Sequence, residues 1–242
     1  MSKFLLIAGN VLFQRCYPLY LPLYKAYKAL SDRREREFLR KIVKPGMRIV
    51  DVGANIGIYT NYFAGLVGPN GAVYAFEPSP ENFSRLQHNV LPKAGITTVQ
   101  AAVGDSNGTV DLFLSDQANV DHRTYDSGDG RRKVTVPLVC LDEYFSPGTR
   151  IDFIKIDVQG HEYSVLKGAS RLLKENPRIV CLLEIWPYGL TRAGVKSSDL
   201  MRFISGLGFV YEVVGDGGPG VIERLDSDDE SDYCNIAIWR AI

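Results

Sequence analysis

What the sequence lacks narrows it first. Neither charge sign is in excess: 28 Lys and Arg balance 28 Asp and Glu, and the pI is near 6.8. Without a broad positive field, nucleic acid is not an expected partner. No CxxC pair and no zinc spacing connects Cys16, Cys140, Cys181 and Cys234. Three of these lie in apolar runs, where cysteine acts as a small hydrophobe, so a reducing cytoplasm is the expected compartment. Long apolar spans are missing too. Phe4 to Phe13 covers only ten residues before Arg15, against the roughly twenty that a membrane-spanning helix needs. No small-residue cleavage site follows it in "QRCYPLYLPLY". The expectation for this segment is a helix packed on the domain or at a subunit contact. The alternative is a membrane-surface anchor with Tyr17, Tyr20, Tyr24 and Tyr27 at the interface.

What is present points to one large core. The 242 residues are 45% hydrophobic, a size and composition suited to a single α/β domain. "SDRREREFLRKIV" reads as a helix capped by Ser31 or Asp32, its charges in water and Phe38, Leu39, Ile42 and Val43 inward. Pro45 and Gly46 end it, which divides the chain into an extension, 1–46, and a main domain, 47–242. From Met47 onward, apolar runs at "MRIVDVG", "AVYAFEP", "TTVQAAVG", "IDFIKIDV" and "RIVCLLEIW" read as buried parallel strands. Helical patterns fall between them at Ile56–Leu66, Pro80–Val90, Glu162–Leu173 and Ser198–Leu207. "GFVYEVV" and "CNIAIWRA" add two final strands, and "TVDLFLS" with "KVTVPLV" forms an inserted β pair. The pattern predicts a doubly wound, mostly parallel sheet.

Such a sheet binds ligands outside the carboxyl ends of its strands. "IVDVGANIGIYT" supplies the turn there, with Gly53 and Gly57 leaving backbone open to a ligand. A dinucleotide fingerprint needs glycine at 55 and 58, where Asn55 and Ile58 stand, and no Gly-Lys-Ser/Thr phosphate loop exists. Instead Asp51 precedes the turn and Glu77 ends the next strand. Asp51 would repel a phosphate and welcome an amine, while Glu77 can accept both hydroxyls of a ribose. The two acids with Asn55 favour S-adenosylmethionine. A turn hydrogen bond for Asp51 and a helix cap for Glu77 are the structural alternatives.

"VDVGANIGIYT", "FEPSPENFSRLQHNV", "AAVGDSNGTV", "VCLDEYF" and "IDFIKIDVQGHEYSVLKGA" occur in an order that resembles the FkbM-type S-adenosylmethionine-dependent methyltransferases. The resemblance runs from about Met47 onward. It implies a class I methyltransferase, Rossmann-like fold with an antiparallel last strand. It also implies O-methylation of a hydroxyl on a sugar, glycan or secondary metabolite. By that resemblance Asp51, Gly53, Ala54, Asn55 and Gly57 line the methionine half of the cofactor and Glu77 holds the ribose. Asp105 accepts from the adenine amino group, an Asx-type turn being its alternative.

The chemistry is expected at "IKIDVQGHE". Asp157 leaves the sheet where the methyl group would point, and His161 has a suitable reference pKa for a base. Asp157 either orients His161 or is itself the base. Glu184, ending "LLEIWP", converges on the same rim. A magnesium site at Asp157, Glu162 and Glu184 is weakened by Gln159, where the family more often has Glu, and no metal is expected. Acceptor choice is assigned to the loop 115–133, whose Arg123, Arg131, Arg132 and Lys133 can meet an anionic group. The acidic run 226–232 reads as a solvated loop. Homo-oligomerisation and peripheral membrane contact through residues 4–30 stay open. Two other readings remain: methylation of a protein or nitrogen nucleophile, and a nicotinamide-dependent dehydrogenase or non-catalytic nucleotide-binding module.

Overall fold

Strands and helices alternate as those patterns require in the computed structural model, which describes residues 3–90, 95–115, 121–126, 128–215, 229 and 231–241. The chain begins with three helices, α1 (Lys3–Arg15), α2 (Tyr17–Ser31) and α3 (Arg33–Ile42). A βαβαβ unit follows: β1 (Arg48–Val52), α4 (Ile58–Val67), β2 (Ala72–Phe76), α5 (Pro80–Val90) and β3 (Ile96–Val99). Next come β4 (Ala102–Gly104), β5 (Gly108–Leu114), β6 (Arg132–Cys140) and the short α6 (Leu141–Tyr144). The second half holds β7 (Phe153–Ile156), α7 (Glu162–Lys167), α8 (Ser170–Glu175) and β8 (Val180–Ile185). It ends with α9 (Pro187–Arg192), α10 (Ser197–Gly206), β9 (Phe209–Val214) and β10 (Cys234–Arg240).

Seven strands form one sheet in the order β3-β2-β1-β7-β8-β10-β9. β10 pairs antiparallel with both β8 and β9, and the other neighbouring pairs are parallel. The strand order reverses between β1 and β7, so the ligand crevice of such a sheet lies outside the carboxyl ends of those two strands.

Side chains alternate across the sheet with a period of two, and that alternation sorts the core. Val50, Val52, Ile154, Ile156 and Leu183 pack on one face with Leu166, Leu172 and Ile204. Ile49, Phe153, Leu182 and Ala237 pack on the other with Leu39 of α3 and Phe63 of α4. Asp51, Lys155, Asp157, Glu184 and Asn235 share the phase of that second set. They carry it, as polar groups, to the carboxyl end of the sheet. Glu35 of α3 meets this row, accepting from Asn235 Nδ2 at 3.2 Å.

The N-terminal segment packs on the domain. Phe13, Tyr17 and Tyr20 are buried against Ile56. Asn89 Nδ2 donates to the Tyr17 hydroxyl at 2.6 Å, and the Arg85 guanidinium lies 4.1 Å from the Tyr17 ring centre. Sequence patterning did not separate α2 from α1. It begins with Pro18 in its first turn, where proline costs no helical hydrogen bond. Asp32 holds the N-cap position of α3, its carbonyl accepting from the Arg36 amide at 2.9 Å, without a side-chain cap bond. Its carboxylate instead accepts from the Tyr59 hydroxyl at 2.8 Å and pairs with Lys28 at 2.5 Å.

Two other elements differ from expectation. "TTVQAAVG" is not one strand: the chain turns at Gln100, and β4 leaves for a second sheet ordered β4-β6-β5. The inserted pair is therefore a three-stranded sheet. The helix expected over Glu162–Leu173 breaks at Gly168, where the backbone passes so close to β4 that a Cβ would lie 2.0 Å from the Gly104 carbonyl oxygen. Asp142 restarts it, accepting from the Arg171 and Leu172 amides at 2.7 and 2.8 Å. Among the described residues no helix is long and apolar enough to cross a membrane.

Candidate active site

A cleft of about 610 Å³ opens at the carboxyl ends of β1, β2, β7 and β8. Gly53, Ala54, Asn55, Glu77, Asp157, His161 and Glu184 all line it, so seven of the ten residues singled out in the sequence meet in one place.

The β1–α4 turn forms the floor. Gly53 has φ 80° and crosses directly under the other half of the sheet: a Cβ there would stand 1.9 Å from the Asp157 carbonyl oxygen. Its glycine is required by protein backbone, whatever the ligand demands. Asn55 follows at φ 50°, and its side-chain oxygen accepts from the Ile56 amide at 2.7 Å. Glu77 ties the floor to β2. One carboxylate oxygen accepts from the Asn55 amide at 2.8 Å and the other from the Ser79 amide at 2.9 Å. Burial pushes its pKa up to about 7, those backbone donors opposing. The Asn82 side chain donates to the carboxylate as well, which keeps its remaining lone-pair capacity for a hydroxyl donor.

Opposite the floor stand the acids at the strand ends. Lys155 Nζ donates to Asp157 Oδ2 at 2.9 Å, and Gln159 Nε2 to Asp157 Oδ1 at 3.2 Å. Burial opposes ionisation of Asp157, but the Lys155 ammonium and these hydrogen bonds outweigh it and hold the carboxyl below its ordinary value. Its side chain keeps 37% of its surface exposed. Gln159 Nε2 also donates to Glu184 Oε2 at 2.8 Å. Glu184 has the opposite shift: burial, then the charges of Asp157 and Glu162, raise it well above the usual carboxylate value. Burial lowers His161 below 6.5, against the attraction of Asp105, so its ring is neutral at pH 7. Two carboxyls pushed apart in pKa beside a neutral imidazole suit proton transfer.

Three expected residues do not reach the cleft wall. Asp51 points to the α4 side of the sheet by strand alternation. It is fully buried, accepts from Thr60 Oγ1 at 2.6 Å, and has no partner for Oδ1 among the described residues. It can act on a cleft ligand only as a charge from beneath. Gly57 faces α5, where a Cβ would meet Leu86 Cδ1 at 2.7 Å, so helix packing requires it. Asp105 pairs with Lys167 Nζ at 2.7 Å outside the cleft lining. Glu162 also turns away. Its Oε1 accepts from the Gly160 amide at 3.0 Å, bracing the turn that delivers His161.

The structure adds residues that patterning missed. Lys155 lies inside an apolar strand run, which hid it. Trp186 lines the cleft with the Arg123 guanidinium 4.9 Å from its ring centre, and Arg123 Nε donates to Asp121 Oδ1 at 2.7 Å. Of the expected acceptor loop, 116–120 and 127 lie outside the described residues. Arg131 pairs with Asp121 and Asp129, each at 2.7 Å, and Lys133 with Asp111 at 2.7 Å. The acidic run 226–232 lies outside the described residues except for Asp229, Ser231 and Asp232. Tyr24, Tyr27 and Lys28 of α2 close the near side of the cleft.

The chain is 28% identical over 181 residues to the hexuronic acid methyltransferase AglP of Haloferax volcanii, covering 72% of this chain and 69% of that one. It is also 28% identical over 199 residues to the 31-O-demethyl-FK506 methyltransferase FkbM of Streptomyces tacrolimicus, covering 79% and 75%. A crystal structure from Clostridium thermocellum, of a protein proposed to be an rRNA methylase, superposes with a TM-score of 0.54. It is 14% identical and covers 88% of this chain and 96% of that one, a likeness of fold. The Methyltransferase FkbM domain family matches residues 51–211, and the chain belongs to it as an S-adenosylmethionine-dependent methyltransferase.

Proposed function

We propose that the enzyme methylates a hydroxyl oxygen on a sugar, glycan or similar small polyhydroxylated acceptor. The observation that carries this reading is the pair Asp157 and Glu184, held on one amide of Gln159 across the cleft from Glu77. A hydroxyl nucleophile must lose a proton as it reacts, and the cleft wall is built of groups that take one. The names of the relatives support it, one acting on a hexuronic acid and one on an O-demethylated substrate.

The residues present fit the methyl donor. Backbone at Gly53–Asn55 leaves room for its methionine half, Glu77 has free acceptor capacity for ribose hydroxyls, and Ala101, Ala102 and Val103 give an apolar wall for a flat base. Carboxylates around the cleft favour a cation over a phosphate, Asp51 contributing from below. When bound, S-adenosylmethionine supplies a methyl group already activated on a sulfonium.

The chain's own part is to orient and deprotonate. Asp157 stays ionised because Lys155 holds it so, and it complements positive charge rather than collecting protons. Glu184 is the stronger proton acceptor of the two once ionised, and we assign it the acceptor's proton, with His161 as the second candidate. Residues 47–242 would form the catalytic domain, and residues 1–46 an extension that adds one cleft wall. All four cysteines are unpaired, which supports a reducing, cytoplasmic compartment.

The test is to incubate the protein with methyl-labelled donor and a panel of uronic acids, sugar nucleotides, oligosaccharides, amines and proteins, then locate the label by mass spectrometry. Label on a sugar oxygen is the expected result. Label confined to protein or amine nitrogen would overturn the reading.

A further inference from the structure

Helix α2 is apolar on two opposite sides. Tyr17 and Tyr20 are buried against the domain and Tyr24 lines the cleft. At helical spacing the reverse side presents Leu19, Leu23, Ala26 and Leu30 as one stripe. The three leucines are 52%, 56% and 79% exposed. Of nine large hydrophobic side chains exposed among the described residues, five (Val11, Leu19, Leu23, Tyr27 and Leu30) fall between residues 11 and 30. A face of this kind, repeated along one helix, marks a contact rather than scattered surface apolarity.

Charge says what the contact is. Residues 1–31 carry four basic side chains, Lys3, Arg15, Lys25 and Lys28, and no Asp or Glu at all, in a chain whose formal charge is zero. Arg15, at the end of α1, and Lys25, on α2, are both exposed. Arg33 and Arg34, also exposed, follow in the first turn of α3. A second copy of this chain brought to the stripe would bring the same basic rim against itself. An anionic lipid surface offers both an apolar layer and the opposite charge.

We infer that α2 docks the enzyme on anionic membranes, its Leu19–Leu23–Leu30 stripe entering the headgroup layer and the exposed Arg15, Lys25 and Arg34 meeting lipid phosphate. At 15 residues α2 lies along the surface rather than crossing it. Tyr24, Tyr27 and Lys28 of the same helix line the cleft away from the stripe, so docking leaves the site about one helix width from the lipid surface. The inference stands on the helix alone and does not need the assignment of the acceptor.

The full chain should co-sediment with phosphatidylcholine vesicles containing phosphatidylglycerol. It should bind them at least tenfold better than pure phosphatidylcholine vesicles, and less as salt rises. The triple variant Leu19→Glu, Leu23→Glu, Leu30→Glu should lose that binding while keeping S-adenosylhomocysteine affinity and melting temperature. Val210→Glu, at an exposed apolar residue on β9, should bind vesicles like the parent. Failure of the parent to bind anionic vesicles, equal binding to neutral ones, or binding retained by the triple variant would each overturn the inference. So would a parent dimer that the triple variant makes monomeric without any vesicle binding, which would make the stripe a subunit interface.

Discussion

The side-chain nitrogen of Gln159 donates to Glu184 Oε2 at 2.8 Å, and the same nitrogen reaches Asp157 Oδ1 at 3.2 Å. One neutral amide thus spaces two carboxyls that would otherwise repel. Gln159 does this from φ 54°, one of two positive φ values among the described non-glycine residues. Such a backbone costs on the order of 1–3 kcal/mol and persists where surrounding contacts over-determine it. Gln159→Leu keeps the bulk and removes the donor. Its kcat/KM should fall about 10–100-fold through misplacement of the acids, with S-adenosylhomocysteine affinity unchanged by calorimetry. A loss confined to cofactor affinity would place Gln159 in cofactor binding instead.

The pH profile should follow Glu184. Its carboxyl is raised by burial and then by the charge of Asp157, so activity should increase with pH as Glu184 ionises. Glu184→Gln should erase that acid limb and lower kcat by about a hundredfold to ten-thousandfold, the usual cost of removing a general base. Asp157→Asn removes the nearest negative charge, so Glu184 should ionise more readily and the limb should move to lower pH. If His161→Ala, and not Glu184→Gln, abolishes the limb, the proton belongs to the histidine, whose own limb lies below 6.5.

Glu77 gives a binding test. Hydroxyl donors favour the carboxylate, whereas burial holds the free group near a pKa of about 7. Ligand binding should therefore release a proton below that value. Affinity for S-adenosylhomocysteine should rise about tenfold per pH unit up to about 7 and level off above it. Glu77→Gln should flatten the curve, and Glu77→Ala should weaken binding by about 1–3 kcal/mol at pH 8. A mutant that is folded and binds with unchanged affinity would remove Glu77 from the ribose role. Glu162, also near a pKa of about 7, is outside the cleft lining and should leave the binding curve alone.

Local chemistry made much of this legible. The alternation of apolar runs and helical patterns announces the main sheet, and acids after strands announce its working edge. Glu77, Asp157 and Glu184 follow from that rule, because a strand end fixes where its side chains point, whereas Ala54 came from the family resemblance. Depth relative to the loop was not legible. Asp51 and Gly57 look alike in sequence to residues that face a ligand, yet one is turned under the sheet and the other against α5. Asp105 was lost to Lys167, a partner 62 positions away. Lys155 was hidden by its apolar neighbours, since a single basic residue in a strand run carries no periodic signal. The α2 wall was invisible for a related reason: its tyrosines serve packing and cleft at once, and spacing alone does not separate the two.

Lys155 is the place where stability and site meet. It is 5% exposed, faces Asp51 across the β1–β7 register, and donates to Asp157 at 2.9 Å. Lys155→Met keeps the length of the side chain and strips both carboxyls of their counter-charge. Breaking a fully buried pair on one side costs about 3–5 kcal/mol, which is the upper bound here because Asp157 keeps 37% of its surface in water. Urea unfolding at pH 7 should show a loss below that bound and above the roughly 1 kcal/mol of an exposed pair. The sign with pH follows from the carboxyls. Burial already holds the Asp51 carboxyl above its usual value against the Lys155 charge; without Lys155 it rises further and Asp157 loses what held it down, so the folded state binds the extra protons. The deficit should then shrink as pH falls toward 4, where the stranded acids are neutral. Lys155→Met combined with Asp51→Asn should recover part of the loss at pH 7, since one stranded charge is gone. An equal deficit at both pH values, with no recovery in the double variant, would mean that Lys155 acts through its packing on the Tyr59 ring, 5.0 Å from its ammonium, rather than through charge.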